Sequence, residues 1–409
     1  MRKLIVFFIM WTVLIFLIGM PVSSQKKIAP MALLNGTLIN GTGAEPVQNA
    51  VIVIQQDLIL AAGSAEQVSI PTNAQRLDVK GATILPGFIN AHVHQGYDEQ
   101  NLKAWAKSGV TTVRDLGAFT QDGKWFIRRD ALNKDPRNAR LVAAGPFITA
   151  SGGYPFNPWG VPAIMVSLPD DAVKQTRELI QKGADLIKLS LETGKNFSKV
   201  IPAPSPEVAA AIVKTAHNHG IVVSTHITNT QDVERAIQAG VNDIAHIPSD
   251  DLPLELAAKV AKAGIYWVPT IELWHGVQQE HIFLYFTKMH KRVINNLRRF
   301  VQTGGKVAMG TDFAGYSSYF DLGMPIRELE WMQDAGMTPM QIIVAATKNA
   351  AYVCNKAKII GTIEPGKIAD ILVVQGNPLD DLHTLKNVVM VIHNGVIIRQ
   401  EKNVGNNKK

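Results

Sequence analysis

Between Pro86 and Lys356 the chain alternates short buried β-type runs with amphipathic helical segments, and no other feature restricts its fold as strongly. Strands buried on both faces read as near-continuous apolar runs, and helices as apolar positions three and four apart. A sequence that switches repeatedly between the two makes a parallel sheet with helices crossing over it. Strands are predicted at ILPGFINAHVH, VTTVRDLG, ARLVAAGPF, DLIKLSLE, IVVSTH, DIAHIP, IYWVPTI and KVAMGTD. Between them lie helical segments such as DDAVKQTRELIQKG, SPEVAAAIVKTAHNHG, TQDVERAIQAG and LPLELAAKVAKAG, several closing on the glycine that a helix C-terminus prefers. Eight such units fit a (β/α)8 TIM barrel, whose usual size is about 250 residues. A doubly wound open sheet is the structural alternative, but no Gly-x-Gly-x-x-Gly follows the first strand.

Both flanks read differently. ALLNGTLING, AVIVIQQDLILAAG and AQRLDVKGATIL before the barrel, and IIGTIEPGKIADILVVQGNP and NVVMVIHNGVIIR after it, carry the β-branched runs and turn residues of antiparallel strands. The expected organisation is a β-sandwich built from both ends of the chain (28–85 and 358–400) around a barrel over 86–357, with a basic tail at 401–409. Asn35-Gly36 and Asn40-Gly41 read as hairpin turns; with Asn196 they also form Asn-x-Ser/Thr acceptor sites, which matter only in a eukaryotic secretory pathway.

Charge directs little. The formal +7 suggests an anionic partner until position is considered. Seven of the 41 bases and one of the 34 acids lie outside Ile28–Gln400, leaving 34 bases against 33 acids in the body. No basic stripe points to nucleic acid. Arg2-Lys3 followed by an uncharged apolar run from Leu4 to Met20 and by Pro21-Val22-Ser23-Ser24 reads as a secretory signal peptide over residues 1–24, so an exported protein is expected. An uncleaved anchor over residues 4–20 is the alternative, and the only route by which a membrane enters. A single cysteine, Cys354, excludes an internal disulfide and a thiolate metal cluster.

In a barrel of this kind reactive residues belong at the C-terminal ends of strands, where the strand-to-helix loops gather. The first strand ends in His92-Val93-His94, whose alternation puts both imidazoles on one side. The fourth carries Lys188, the fifth ends in His226, the sixth in His246 and the eighth in Asp312. His217, His219, His281 and His290 fall in helix patterns, and His383 and His393 in the terminal β region. Any one of the strand-end residues alone is more simply structural; six at five strand ends form a pattern. Neutral imidazole and carboxylate suit Zn²⁺, Mn²⁺, Fe²⁺ or Co²⁺.

At these residues the chain resembles the amidohydrolase superfamily, in its imidazolonepropionase-like and prolidase-like (Xaa-Pro dipeptidase-like) branch. The motifs that carry the resemblance are PGFINAHVH, GVTTVRDLG, GADLIKLS, MGTD and the closing GTIEPGKIADILVV with VIHNGVII. The resemblance implies that His92, His94 and Asp312 hold one divalent metal, zinc first among the candidates, and that His226 and His246 hold a second. It implies that Lys188, carboxylated by CO2, bridges the two. Imidazolonepropionases share the frame but use one metal and lack such a lysine, so Lys188 favours the binuclear branch. Asp312 would then pass a proton from water to the leaving amine.

The expected function is hydrolysis of an amide C–N bond in a dipeptide of Xaa-Pro type or an N-acyl amino acid. Opening of a small cyclic amide, or a non-catalytic binding relative, are the alternatives. Tyr154 in the loop SGGYPFNPWGVP, with Phe156 and Trp159, could wall the pocket, and His275 could touch substrate. Arg114 beside Asp115 reads as a structural pair, with substrate-carboxylate binding as the competing reading. Assembly into a homo-oligomer stays open.

Overall fold

The computed structural model describes residues 29–118, 122–279, 289–314 and 320–402. The proposed signal segment, His281 and most of the basic tail lie outside these. Among the described residues no helix is long and apolar enough to cross a membrane.

The middle of the chain is α/β, with parallel strands in two sheets. Phe88–Val93, Val110–Asp115 and Arg140–Ala143 form one; the other orders Ile164–Val166, Ile148–Ala150, Ile187–Ser190, Val223–His226, Asp243–Ala245 and Tyr266–Val268. Single backbone bonds connect what the ladders do not. Asp185 N donates to Ala143 O at 3.1 Å between the sheets, and the eighth predicted segment meets both ends: Ala308 N donates to Trp267 O at 2.9 Å and Ala91 N to Met309 O at 2.9 Å. That segment, KVAMGTD, makes isolated bridges rather than a ladder. It carries Gly310, where a Cβ would lie 2.8 Å from the backbone nitrogen of His92, and Asp312, whose φ of +62° leaves the strand region. The arrangement is TIM-barrel-like.

The predicted helices form where expected, for reasons visible locally. Pro206–Asn218 starts on Ser205, whose hydroxyl accepts from Val208 N, and buries Val208, Ile212 and Ala216 on one side. Thr230–Ala239 is capped by Asn229 and ends on Gly240 at φ +76°.

The two ends of the chain do meet, but in one eight-stranded sheet rather than the expected sandwich. Thr83–Pro86 pairs antiparallel with Ile371–Val374, joining the N-terminal strands to Val388–His393 and Val396–Gln400. Ile52 and Ile54 pack on one face and Val51 and Val53 on the other, so both faces are covered. This accounts for the continuous apolar run at AVIVI. Asn35-Gly36 is no hairpin. Both residues lie inside Met31–Leu38, where Asn35 takes φ +60° and the register with Val47–Gln55 shifts, the mark of a β-bulge. Asn40-Gly41 lies in the connection that follows.

Candidate active site

His92, His94 and Asp312 come together because the first strand and the eighth segment are stitched at their ends. Asp312 N donates to His92 O at 2.9 Å and His94 N to Phe313 O at 2.8 Å. Asn90 reinforces this, donating to Thr311 Oγ1 at 2.9 Å and accepting from Thr311 N at 3.2 Å. Nε2 of His92 and of His94 then lie 3.0 and 3.2 Å from Asp312 Oδ1. One ligand atom from each of the three falls within 4.8 Å of the others, an arrangement that could hold a metal ion.

A second pair converges beside the first. Nδ1 of His226 and Nε2 of His246 are 3.0 Å apart, and the His92 and His246 ring centroids are 4.9 Å apart. The far nitrogens are held from outside. Nδ1 of His246 bonds the Thr270 hydroxyl at 2.8 Å, Nδ1 of His94 faces Gly117 O at 3.3 Å, and Nε2 of His226 faces the buried Glu192 carboxylate at 4.0 Å. Such outer partners fix the ring orientation of a ligand imidazole. His246, Thr270 and Asp312 all have positive φ, at +71°, +51° and +62°. Backbone strain of this kind costs about 1–3 kcal/mol per residue and gathers at functional sites.

Charge states suit a cation. Burial holds the His92 and His226 imidazoles well below their usual range and His246 at about 3, so these three rings keep free lone pairs near neutrality. For His94 burial works the same way, but the bond and charge of Asp312 outweigh it and raise the ring. Burial alone would raise Asp312; the charges and hydrogen bonds of His92 and His94 reverse this and hold it well below the carboxylate range. Lys188, fully buried, is lowered to about 7 by burial. Its buried Nζ has no hydrogen-bond partner among the described residues, nor has the buried His92 Nδ1. Unpartnered buried polar atoms cost about 1–3 kcal/mol each. A buried, unpartnered amine close to these rings and to the Asp312 carboxylate fits a group that binds there, and the imidazole, carboxylate and amine donors suit a divalent cation.

Around the cluster, Tyr154 stacks on His226 with ring centroids 3.9 Å apart, and Phe147 packs against His94, Tyr154 and His226. Phe156 and Trp159 stay largely exposed. Phe156 instead lines a pocket of about 330 Å³ with Ala118, Trp125, Pro146, Ile164 and Met165, and among the described residues no charged side chain lines it. His275 packs with His290 and Trp331, at 5.0 and 4.9 Å between ring centroids. Its neighbour Trp274 is the residue that borders His246. Arg114 is no partner of Asp115: it forks onto Asp243 with two bonds of 2.9 Å, fully buried and away from solvent. Asp115 instead accepts from Gly96 N and Gly117 N. Glu192, Thr270 and Phe147 were not singled out from sequence; Glu192 could have been, as an acid closing the same strand run as Lys188.

Comparison with known proteins agrees with the geometry. Residues 83–398 match the amidohydrolase family. An ochratoxinase from Aspergillus niger is 25% identical across 91% of this chain and 86% of its own. An imidazolonepropionase from Thermoanaerobacter pseudethanolicus is 24% identical across 82% and 86%. Among solved structures, a Xaa-Pro dipeptidase with methionine bound in its active site superposes with a TM-score of 0.77 at 27% identity, covering 90% of this chain and 99% of that one. A putative prolidase from Bifidobacterium longum superposes equally well at 27% identity, covering 91% and 95%. The chain belongs to the amidohydrolase family and is a metal-dependent hydrolase of carbon–nitrogen bonds.

Proposed function

We propose that this protein is an exported binuclear amidohydrolase that cleaves Xaa-Pro-type dipeptides or N-acyl amino acids within an eight-unit barrel. His92, His94 and Asp312 would hold one divalent ion, His226 and His246 the other. Lys188 would bridge them as a carbamate, formed when Nζ makes an N–C bond to CO2 and releases one proton. A bound metal pair supplies an activated water and polarises the scissile carbonyl. The observation that supports this reading is the gathering of His92, His94 and Asp312 beside the His226–His246 pair, with the buried Lys188 Nζ left without a hydrogen-bond partner among the described residues.

Within that frame the chain's own residues have separate tasks. Asp312, the carboxylate beside the histidines, takes a proton from the attacking water and returns it to the nitrogen as the C–N bond breaks. Tyr154 covers the His226 face and excludes bulk water. The pocket lined by Ala118, Trp125, Pro146, Phe156, Ile164 and Met165, apolar among the described residues, favours an apolar side group over a charged one.

Amine release from a panel of Xaa-Pro dipeptides, N-acyl amino acids and small cyclic amides, with and without chelator, tests this reading. Chelator-sensitive cleavage of the linear amides is expected. Cleavage confined to cyclic amides, or no cleavage with the metals in place, would overturn the substrate assignment. Lys188→Ala should lose metal and activity together, with partial rescue by short carboxylic acids.

A further inference from the structure

We infer that Arg114 occupies Asp243 so that this carboxylate does not pair with Lys188, leaving the lysine amine free for the bridging role. The inference rests on the carbamate reading of Lys188 given above.

Strand register sets up the competition. Lys188 is in register with Ser224, and Ser224 with Asp243, so the three lie in one row across neighbouring parallel strands. His226 stands two residues beyond Ser224, on the same side of its strand. All three side chains of the row are buried, where a TIM barrel interior is ordinarily filled with branched apolar residues. A lone carboxylate in this row would accept a hydrogen bond from Lys188 Nζ. A lysine bonded there is turned away from the histidines, where the bridging carbamate has to form.

Asp243 is already committed. Arg114 donates Nη1 to Oδ2 and Nη2 to Oδ1, each at 2.9 Å, and Ser224 Oγ donates to Oδ1 at 2.7 Å. The guanidinium cannot swing away, because Nε donates to Ala91 O at 2.5 Å and Nη1 to Val353 O at 2.8 Å. Forked bonding satisfies both carboxylate oxygens in a way that a lysine cannot imitate. Lys188 Nζ meanwhile has no hydrogen-bond partner among the described residues and lies 5.5 Å from the centre of the Phe147 ring. Asp243, Arg114 and Asp312 are the charges that act on it. A buried ion pair is weak evidence for stability in itself. Its place in the row of Lys188, one step below the histidines, gives it a specific use.

The test takes the full-length chain, incubated with ¹³C-bicarbonate and divalent metal, as wild type, Arg114→Met, Asp243→Asn and the double variant. Carbamate is read by ¹³C NMR and bound metal by elemental analysis. Arg114→Met should lose the carbamate signal and bind metal about 10–100-fold more weakly, the range seen when an outer partner of a metal site is removed. Asp243→Asn should keep both, and the double variant should recover what Arg114→Met lost. Arg114→Met that keeps its carbamate, or a double variant as impaired as the single, overturns the inference. Asp243→Asn preserves side-chain volume and carries the test even where Arg114→Met fails to fold; loss of carbamate in it also overturns the inference. A wild-type chain with bound metal and no carbamate removes the reading of Lys188 itself, and this inference with it.

Discussion

Thr270 touches the His246 imidazole, and replacing it isolates what an outer partner contributes. Its hydroxyl sits 2.8 Å from Nδ1, on the far side from the nitrogen that faces His226. Thr270→Val keeps the volume but leaves Nδ1 buried and unpaired, a cost of about 1–3 kcal/mol. At about 1.4 kcal/mol per tenfold, metal affinity should fall about 10–100-fold. Backbone strain separates this effect from simple loss of shape. Thr270 holds φ +51°, a conformation that β-branched residues resist, so valine keeps the strain and loses the bond. Thr270→Ser keeps the hydroxyl without the branch and should hold metal within a few-fold of wild type. Competition against a chromophoric chelator measures the affinities, and melting of the metal-free proteins separates binding from stability. A valine variant that binds as tightly as wild type, or a serine variant as weak as valine, would refute the reasoning.

Asp312→Asn should lower turnover by about 10²–10⁴-fold while most metal stays bound, since geometry survives and the proton acceptor does not; near-normal hydrolysis would sink its role. Gly117→Ala would place a Cβ 2.4 Å from Phe147 Cε2 and 3.0 Å from His94 Cε1. It should cost about 1–3 kcal/mol in thermal stability, as overpacking does, and reduce kcat by shifting the His94 ring. Cys354 is buried, and burial pushes its thiol up to about 12. Raised above its ordinary value, it stays protonated as pH climbs through 8 and 9, so alkylation in the native state should stay slow there and become fast on unfolding.

The sequence carried the parts of this protein that depend on local pattern. Alternation of strand and helix marked the α/β middle, and the ends of its strands pointed to His92, His94, His226, His246 and Asp312, because a strand end is a position that sequence can locate; Lys188 lies inside its strand, one step below His226 across the ladder. What depended on distant partners was less legible. Arg114 sits beside Asp115 in the chain, yet its fork reaches Asp243, 129 residues on. Asn35-Gly36 has the residues of a hairpin, but the pairing partner across the strand turned it into a bulge. Trp274 rather than His275 borders the cluster because adjacent helical residues point about 100° apart, and the phase of a helix against its neighbours is a tertiary fact. The terminal strands were recognisable one by one; that they would join in one sheet depended on pairing between Thr83–Pro86 and Ile371–Val374, nearly 290 residues apart.

The central claim is that six side chains hold two ions, and metal stoichiometry tests it most directly. Elemental analysis of the purified chain, loaded with zinc or manganese in the presence of bicarbonate and freed of excess metal, should give two ions per chain, falling sharply in Lys188→Ala. One ion per chain, unchanged by that substitution, would contradict the binuclear site, and no bound ion would contradict the metal centre altogether.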